Sequence, residues 1–210
     1  MESGVIVFRF YRNLFIPHFT LQTPDSYKGK IMYKKLKSDE FIRVLSSGSC
    51  VLLCAEGKKG KTVTPIAWNM PVNDIPPIAA FALDSNHFIT ELILSAKKFS
   101  VCIPDMKMLK KVLACGSVSG RKKDKFKAFG IKYEKNPKNG LMKIKDCAAY
   151  MECRLKKDLK FSGVDLIIAD ITRAKVKSDM FDKGWITGKF KSIHSVGNMY
   201  GASLGKRFKF

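Results

Sequence analysis

Long apolar runs, metal-ligand motifs and acidic residues are all scarce in this chain of 210 residues. No apolar run approaches the ~20 residues that span a bilayer, so we expect no transmembrane helix. The N-terminal stretch MESGVIVFRFYRNLFIPHF contains an acid, two arginines and no small-residue cleavage site, so we expect no secretory signal. Histidine and cysteine never recur at ligand spacing, which argues against a metal site. Internal repeats and low-complexity linkers are also absent.

The six cysteines form no C-x-x-C pair, and several lie within apolar runs. They are Cys50, Cys54, Cys102, Cys115, Cys147 and Cys153. A thiol in an apolar strand behaves as a small hydrophobic side chain, so we expect buried structural thiols. This usage is typical of a reducing compartment and predicts a cytoplasmic location.

The balance of charges is strongly basic. Acidic residues number 18 against 39 lysines and arginines, which gives a formal charge of +21 and an isoelectric point near 9.8. Such a charge attracts nucleic acid, acidic proteins or phosphorylated cofactors. The lysines are spread through MYKKLK, GKKGK, MKMLKK, GRKKDKFK and RLKKDLK, whereas a nucleic-acid domain usually gathers them in a stripe with aromatic side chains. Spread lysine is more typical of a solvated surface.

Length and composition indicate one globular domain with an appendage. Hydrophobic residues make up 46% of the chain and charged residues 27%. Residues 1–31 are amphiphilic and end in the turn-rich TPDSYKGK, which predicts an N-terminal extension or arm. The main domain is then predicted to cover residues 32–210.

Short, partly β-branched apolar runs dominate the main domain. Strands are predicted at 50–55, 63–68, 78–83, 100–103, 148–155, 164–176 and 185–190. Helices are predicted after Ser38, over 88–99, after Asp105 and over 122–130. Many strands with short interspersed helices indicate a barrel or a sandwich.

The segment AEGKKGKT, residues 55–62, comes within one residue of the P-loop pattern G-x-x-x-x-G-K-[ST]. Ala55 stands where the first glycine is required. A P-loop also continues directly into a helix whose N-terminus helps to bind the phosphates, whereas VTPIAWNMP follows Thr62 here. Proline costs ~3 kcal/mol in a helix interior, and this run contains two prolines. The segment therefore predicts a hairpin loop between two strands.

Three segments place small polar, hydroxyl and basic residues beside the ends of apolar runs. They are TVTPIAWNMPVNDIPP (62–77), DSNHFITELI (84–93) and CGSVSGRKKDKF (115–126). Each has a purely structural explanation: a proline-rich turn, a capped helix and a solvated basic loop. In this order and spacing, however, they resemble the flavin reductase-like family of FMN-binding split barrels, which includes flavoredoxins and flavin or ferric reductases. The resemblance covers roughly residues 35–205.

The most specific motifs of this resemblance are short. AWNMPV followed by DIPP resembles the family's loop around the isoalloxazine ring, and HFITELI resembles a helix start whose Thr90 faces the FMN phosphate. SGRKKDKF resembles a block that places Lys125 beside the flavin, and CAAYMECRL and YGASLGK resemble further family segments. The resemblance implies a mainly β, FMN-binding split β-barrel of Greek-key type with short interspersed helices. It also implies a homodimer with the flavin near the subunit interface.

The resemblance and the chemistry of FMN together predict the cofactor-binding residues. The dianionic phosphate requires hydroxyls, amides and cations, whereas the isoalloxazine ring packs against large apolar side chains. The predicted set is Thr62, Thr64, Ala67, Trp68, Asn69, Met70, Ser85, His87, Thr90, Ser117, Ser119, Arg121, Lys125, Phe126 and His194. Trp68, Met70 and Phe126 are predicted to line the ring, and Lys125 to stabilise the reduced anionic flavin. No catalytic residue or metal ligand is predicted, because the flavin itself performs the redox chemistry.

Two positions depart from the family's usual pattern, and a third matches only some relatives. Thr62 stands where relatives often have Asn, although a hydroxyl can still hydrogen-bond the flavin. Val164 stands where relatives often have His, so we expect that polar contact to be lost. His194 resembles a histidine that some relatives place near the C-terminus, and a solvent-facing histidine fits the same position.

These observations predict a flavoredoxin-like or flavin reductase-like FMN protein that accepts and passes electrons. One alternative is an NAD(P)H-dependent flavin or ferric reductase, which needs space for nicotinamide on the flavin ring. A second alternative is a cofactor-free basic β-barrel that binds nucleic acid. The electron donor is then NAD(P)H or an acidic redox protein, and the net charge of +21 favours the acidic protein.

Overall fold

The computed structural model describes residues 36–38, 48–186 and 188–195, together with the backbone of residues 201–202. These residues belong to one compact unit, Leu36–Lys206. The predicted arm of residues 1–31 and the predicted helix after Ser38 lie outside the described residues. The described part of the chain contains no helix that is long and apolar enough to cross a membrane.

The segment AEGKKGKT forms a β-hairpin. β1 (Val51–Gly57) pairs antiparallel with β2 (Gly60–Ile66), and Gly57 opposes Gly60 across a two-residue turn. Gly60 has a φ of 125°, a conformation that other residues rarely adopt. The chain continues past Thr62 as a strand, so the hairpin prediction is confirmed.

Most of the remaining strands join these two in one sheet. They are β3 (Asn69–Asn73), β4 (Ile78–Asp84), β5 (Lys98–Ile103), β8 (Ala149–Phe161) and β9 (Val164–Val176). The order across this seven-stranded antiparallel sheet is β2-β1-β5-β8-β9-β4-β3. The order is not a simple meander, because the consecutive strands β2 and β3 lie at opposite edges.

Shorter elements complete the described fold. β6 (Tyr133–Lys135) pairs with β7 (Met142–Ile144), and β10 (His194–Ser195) pairs with β11 (Gly201–Ala202). The helices are α1 (Phe88–Ala96), α2 (Leu109–Gly116) and α3 (Lys125–Ala128), and a 3₁₀ turn at Met106–Met108 precedes α2.

The sheet curls around a first hydrophobic core. Phe81 of β4 and Phe99 of β5 have ring centroids 5.5 Å apart, although β8 and β9 separate their strands in the sheet. Such a contact between distant strands requires strong curvature, as in a barrel. Ile89, Leu92 and Ile93 of α1 enter the same core at helical spacing. The predicted barrel of strands with short interspersed helices is therefore confirmed.

The opposite face of β1 packs against a second core. Leu53 belongs to the first core, whereas Leu52 and Cys54 belong to the second, with residues from α2, α3, β6 and β7. Alternate side chains of one strand thus enter different cores, which explains why the run CVLLCA is apolar without interruption. All six cysteines are free, and all except the half-buried Cys50 are buried, as predicted.

After residue 130 the structure differs from the sequence prediction at residues 185–190 and in the β6–β7 pair. The predicted strand at 185–190 is wrong, because Gly188 lies in a turn and Trp185 stacks on Phe190 with ring centroids 3.9 Å apart. Trp185 and Phe190, the large apolar residues at the two ends of the predicted strand, pack on each other instead of on a sheet. The pairing of β6 with β7 lies outside the predicted strands, because each strand has only three residues and little β-branched character.

Candidate functional site

The three polar segments meet at Gly120. A Cβ atom on Gly120 would lie 2.1 Å from Thr62 Oγ1 and 3.1 Å from Cδ1 of Phe88. Only glycine therefore fits at this position without displacement of its neighbours. The loop between α2 and α3, residues 117–124, consequently folds directly onto β2 and the start of α1. We refer to this meeting point as the junction.

Thr62 presents a buried hydroxyl group at the junction. Thr62 is 1% exposed, and its Oγ1 has no hydrogen-bond partner among the described residues. An unsatisfied buried hydroxyl costs about 1–3 kcal/mol, and such groups are rare in native proteins. A bound group that hydrogen-bonds Oγ1 would remove this cost.

The start of α1 provides backbone donors. His87 is the N-cap residue, but its side chain makes no capping hydrogen bond. The first N–H groups of a helix lack partners within the helix, and the helix dipole adds positive potential there. The N–H groups of Phe88 and Ile89 are therefore suited to an anion.

Thr90 stabilises the approach to α1. It is fully buried, and its hydroxyl donates to the Asp84 carbonyl oxygen at 2.7 Å. Its backbone N–H donates to the His87 carbonyl oxygen at 3.1 Å. The hydroxyl proton is thus already used within the chain, and only the oxygen lone pairs remain for a ligand.

Arg121 borders the same helix start. Its guanidinium donates to the Asn86 carbonyl oxygen at 2.7 Å and to the Glu91 carboxylate at 2.6 Å. It also lies 5.2 Å from the centre of the Phe88 ring. Glu91 pairs with Lys59 as well, and hydrogen bonds from Lys59 and Arg121 lower the pKa of this carboxyl group. Arg121 is therefore held against α1 by several contacts.

Lys125 is a buried cation. It is 3% exposed, and its Nζ donates to the Cys115 carbonyl oxygen at 2.7 Å and lies 3.5 Å from Thr64 Oγ1. Burial lowers the pKa of Lys125, and no carboxylate among the described residues opposes this shift. Burial also raises the pKa of Cys115 to about 11, so this thiol is neutral near pH 7. A buried charge without a counter-ion is costly, so an anionic ligand would stabilise it.

Two cavities open near the predicted site residues. The smaller has a volume of about 130 Å³, and its lining includes Ala67, Leu113, Gly116 and His194. The His194 ring nitrogen Nε2 lies 2.8 Å from the Ser192 hydroxyl. The larger has a volume of about 500 Å³, and its lining includes Asn69, Met70, Phe81, Ile103 and Phe190. Both cavities are largely apolar.

Comparison with known protein families identifies the family of this chain. The family model described as the flavin reductase like domain matches residues 43–194. The chain belongs to the flavin reductase-like family. It is also 31% identical over 172 residues to the Escherichia coli K12 protein YddH, with 79% of this chain and 91% of YddH covered.

Solved structures support the flavin reductase-like fold. Flavoredoxin from Methanosarcina acetivorans has a TM-score of 0.73 and 23% identity, with 86% of this chain and 95% of that chain covered. An FMN-binding protein from Thermus thermophilus has a TM-score of 0.73 and 18% identity, with 86% and 99% covered. The predicted split-barrel fold is therefore confirmed.

Most of the residues predicted from the flavin reductase-like resemblance lie in three neighbouring groups. Around the junction and the buried cation are Thr62, Thr64, His87, Thr90, Arg121 and Lys125. Ala67 and His194 line the smaller cavity. Trp68 directly precedes β3 and Met70 lies within it, and their side chains are 50% and 56% exposed. Their exposure leaves both side chains accessible to a ligand or a partner.

Two of the predicted serines are engaged in other contacts. Ser85 hydrogen-bonds Asp165 and thereby lowers the pKa of that carboxyl group, and its N–H donates to the Gly163 carbonyl oxygen at 3.0 Å. Ser117 donates to the Ala114 carbonyl oxygen at 3.0 Å. Both hydroxyls thus bond to the protein itself, and their contact with a flavin stays a prediction.

Three further predicted residues have clear structural roles. The Asn69 side chain donates to the Ser49 carbonyl oxygen at 2.8 Å. Ser119 Oγ accepts the Arg121 N–H at 3.3 Å within the loop. Phe126 is 4% exposed in the second core, with its ring centroid 4.6 Å from that of Tyr133. Their predicted flavin contacts also stay predictions.

The sequence predictions omitted two residues that organise the site. Gly120 lies inside the SGR motif, but only the three-dimensional contact with Thr62 shows why glycine is required. Glu91 has the sequence signature of a first-turn helix acid, and nothing in the pattern indicates that it pairs with Arg121 from the loop. Both roles depend on contacts between residues far apart in the chain.

Proposed function

We propose that this chain binds FMN at the junction and passes electrons through it. The observation that supports this proposal best is a pair of buried groups. The Thr62 hydroxyl has no hydrogen-bond partner among the described residues, and the Lys125 ammonium is hydrogen-bonded but has no carboxylate partner there. When bound, FMN supplies the redox chemistry by accepting and releasing electrons. Similar solved structures are described as a flavoredoxin and as an FMN-binding protein, which agrees with this assignment.

The donor set at the junction is chemically suited to FMN. Thr62 offers a buried hydroxyl to a polar flavin or ribityl atom. Gly120 lacks a side chain, so the loop backbone can approach β2 and a ligand closely. Lys125 offers a positive charge that no carboxylate of the described chain neutralises. FMN is an anion with many hydrogen-bond acceptors. The protein's donors would hydrogen-bond these acceptors, and the negative charge of FMN would neutralise Lys125.

We assign the phosphate end of FMN to the start of α1. The N–H groups of Phe88 and Ile89 and the guanidinium of Arg121 would donate hydrogen bonds to the phosphate oxygens. Glu91 would keep the guanidinium in place through its 2.6 Å contact. Thr90 would act mainly through its hydrogen bond to the Asp84 carbonyl oxygen, which fixes the segment that leads into α1.

We assign the isoalloxazine end to the region of Lys125. The ammonium would stabilise negative charge on the reduced ring, and an anionic ligand would in turn raise the lowered pKa of Lys125. The smaller cavity with Ala67 and His194, and the exposed Trp68 and Met70, provide apolar surface for the ring.

We further propose that the protein is a cytoplasmic homodimer. The edge strand β3 and its neighbourhood expose Trp68, Met70, Val72 and Ile75, at 50%, 56%, 48% and 91%. A cluster of exposed large apolar side chains is typical of an interface. The six free cysteines agree with a reducing compartment. Light scattering on the purified protein measures the mass directly, and a monomer at micromolar concentration contradicts the dimer.

The absorbance spectrum of the purified protein tests the proposed cofactor. We expect flavin bands, either at once or after incubation with FMN and removal of the excess. Flavin released by heating is then identified as FMN or FAD by chromatography. A cofactor-free barrel that binds nucleic acid would show no flavin band after the same incubation, and this result would contradict the proposal.

A further inference from the structure

A group of lysines surrounds the proposed FMN site. Lys58 and Lys61 lie in the β1–β2 hairpin, Lys122 and Lys123 lie in the loop 117–124, and Lys127 lies in α3. Lys61 is half-buried and the other four are exposed. We call these five residues the hairpin–loop surface.

Contacts between neighbouring residues join the parts of this surface. Glu91 of α1 pairs both with Lys59 from the hairpin turn and with Arg121 from the loop. Lys61 lies 5.8 Å from the centre of the Tyr133 ring, and that ring packs on Phe126 of α3. The hairpin, the loop and α3 therefore form one continuous region.

The charge of this surface is not neutralised by its own carboxylates. Glu91 is already paired with two cations, and Glu56 pairs with Lys135. Asp124 is the N-cap of α3 and accepts backbone N–H groups. No ion pair joins a hairpin–loop lysine to a carboxylate within the part of the chain that the structure describes.

Several cations elsewhere on the sheet pair with carboxylates. Asp170 of β9 accepts hydrogen bonds from both Arg154 and Lys156 of β8. Lys160 lies 3.5 Å from the Asp165 carboxylate. The hairpin–loop lysines lack such carboxylate partners among the described residues, and their positive charge lies beside the junction.

We infer that the hairpin–loop surface docks an acidic electron-carrier protein next to the flavin. This inference rests on the proposed function, because it assigns a donor to the proposed FMN site. Complementary charge speeds encounter and orients the partner. Lys122, Lys123 and Lys127 lie within two positions of Arg121 or Lys125, and Lys61 directly precedes Thr62. A docked carrier would therefore deliver electrons beside the cofactor.

The electron balance of this transfer is simple. The reduced carrier loses one electron in each encounter and leaves oxidised. Two encounters, with one proton taken from water, supply the two electrons and the proton that convert oxidised FMN to its anionic reduced form. No further oxidant or reductant is required.

An acidic protein fits this surface better than nucleic acid does. Single-stranded nucleic acid is bound through exposed aromatic rings on which bases stack. The aromatic residues near these lysines are engaged within the protein. Phe88 and Phe126 are buried, Tyr133 packs on Phe126, and the half-buried Phe129, 5.8 Å from the Lys123 ammonium, packs against the second core. The surface therefore offers charge without stacking platforms.

The experiment measures how fast an acidic carrier reduces the FMN-loaded protein. The probe is a chemically reduced acidic [2Fe–2S] ferredoxin, a one-electron donor of low potential. The test variant is Lys122→Glu/Lys123→Glu. The matched control is Lys175→Glu/Lys177→Glu, which changes the net charge equally. Across neighbouring strands, Lys175 is opposite Tyr150, Tyr150 is opposite Cys102, and Cys102 is opposite Leu52 at the start of β1. The control therefore lies at the end of the sheet opposite the hairpin turn.

We expect the second-order reduction rate to fall about tenfold or more in the test variant at low salt, and about twofold or less in the control. The difference should shrink as salt rises, because screening shortens the range of the field. Equal effects in the two variants, or a rate that salt does not change, would overturn the docking surface.

Two parallel measurements separate the remaining outcomes. The FMN content of each protein is determined first from its absorbance: a folded chain that holds no FMN overturns the proposed function and the docking inference together. A loaded chain that fails only the charge test overturns the docking surface alone. Binding of a fluorescent DNA duplex that the test variant abolishes, with ferredoxin reduction unchanged, would assign the surface to nucleic acid instead.

Discussion

Gly120 and Thr62 are in direct contact, so close that a Cβ atom at position 120 would lie 2.1 Å from Thr62 Oγ1 and 2.8 Å from Thr62 Cβ. This contact joins the basic loop to β2. It also determines how near a ligand can approach the buried hydroxyl. Beside this contact lie the Thr62 hydroxyl, which has no hydrogen-bond partner among the described residues, and the Lys125 ammonium, which has no carboxylate partner there.

Gly120→Ala should force the loop away from β2. Overpacking of this kind costs about 1–3 kcal/mol of the free energy of unfolding and should also weaken FMN binding. Urea unfolding and FMN titration measure the two effects. Gly188→Ala is the matched control, because a Cβ there meets no atom within 4 Å, and it should change stability by less than about 0.5 kcal/mol. Equal stability of the two variants would contradict the contact.

Thr62→Val should change apo stability and FMN affinity in opposite directions. Valine has nearly the same shape but removes the unsatisfied hydroxyl, so the FMN-free protein should gain about 1 kcal/mol of stability. If Oγ1 bonds the cofactor, FMN should bind about tenfold more weakly, since that factor corresponds to about 1.4 kcal/mol. Calorimetric melts and FMN titration test this pair of effects. A destabilised apo protein would show that Oγ1 has a partner within the protein.

Thr90→Val should destabilise the FMN-free protein. The change removes the donor to the Asp84 carbonyl oxygen, and a carbonyl left unsatisfied in the interior costs about 1–3 kcal/mol. Thr90→Ser keeps the hydroxyl and should retain most of the stability. Urea unfolding of the two apo variants decides the matter. If Thr90→Val loses FMN affinity with unchanged apo stability while Thr90→Ser keeps both, the Thr90 hydroxyl acts on the phosphate and not on the segment that leads into α1.

Lys125→Met should stabilise the FMN-free protein at neutral pH. Burial lowers the pKa of Lys125 in the folded state, so the unfolded chain binds more protons between this pKa and that of a free lysine, near 10.5. Stability due to Lys125 therefore rises with pH across that interval, and Lys125→Met should lack this rise. Urea unfolding at a series of pH values from neutral to about 10 measures the difference.

The same variant should impair the cofactor site. Without the cation, FMN should bind more weakly, and its reduction potential should fall because the reduced anion is less stabilised. Lys122→Met removes an exposed lysine three positions away and is the control for a loss of general charge. Identical potentials in the two variants would place Lys125 away from the ring.

The sequence predicted local elements well where a strong pattern marked both ends. β9 was predicted at 164–176 and has these bounds, because glycine and polar residues flank an alternating apolar run. The hairpin at AEGKKGKT followed from two glycines between β-branched runs. The resemblance also identified the three segments that meet at the junction.

Other features could not be predicted because they depend on contacts distant in sequence. The hydroxyl of Thr90 bonds Asp84, and Phe126 packs on Tyr133 in the second core. A residue pattern shows which side chain is present but not which atom accepts its proton. The stacking of Trp185 on Phe190 likewise gave apolar spacing typical of a strand where the chain turns.

Isothermal titration of the FMN-free wild-type protein with FMN tests the central claim most directly. We expect one FMN per chain with a dissociation constant of about 1 μM or below, which corresponds to about 8 kcal/mol. Riboflavin, which lacks the phosphate, should bind at least tenfold more weakly. A folded protein that gives no binding heat with FMN at micromolar concentration would contradict the assignment of the junction as a flavin site.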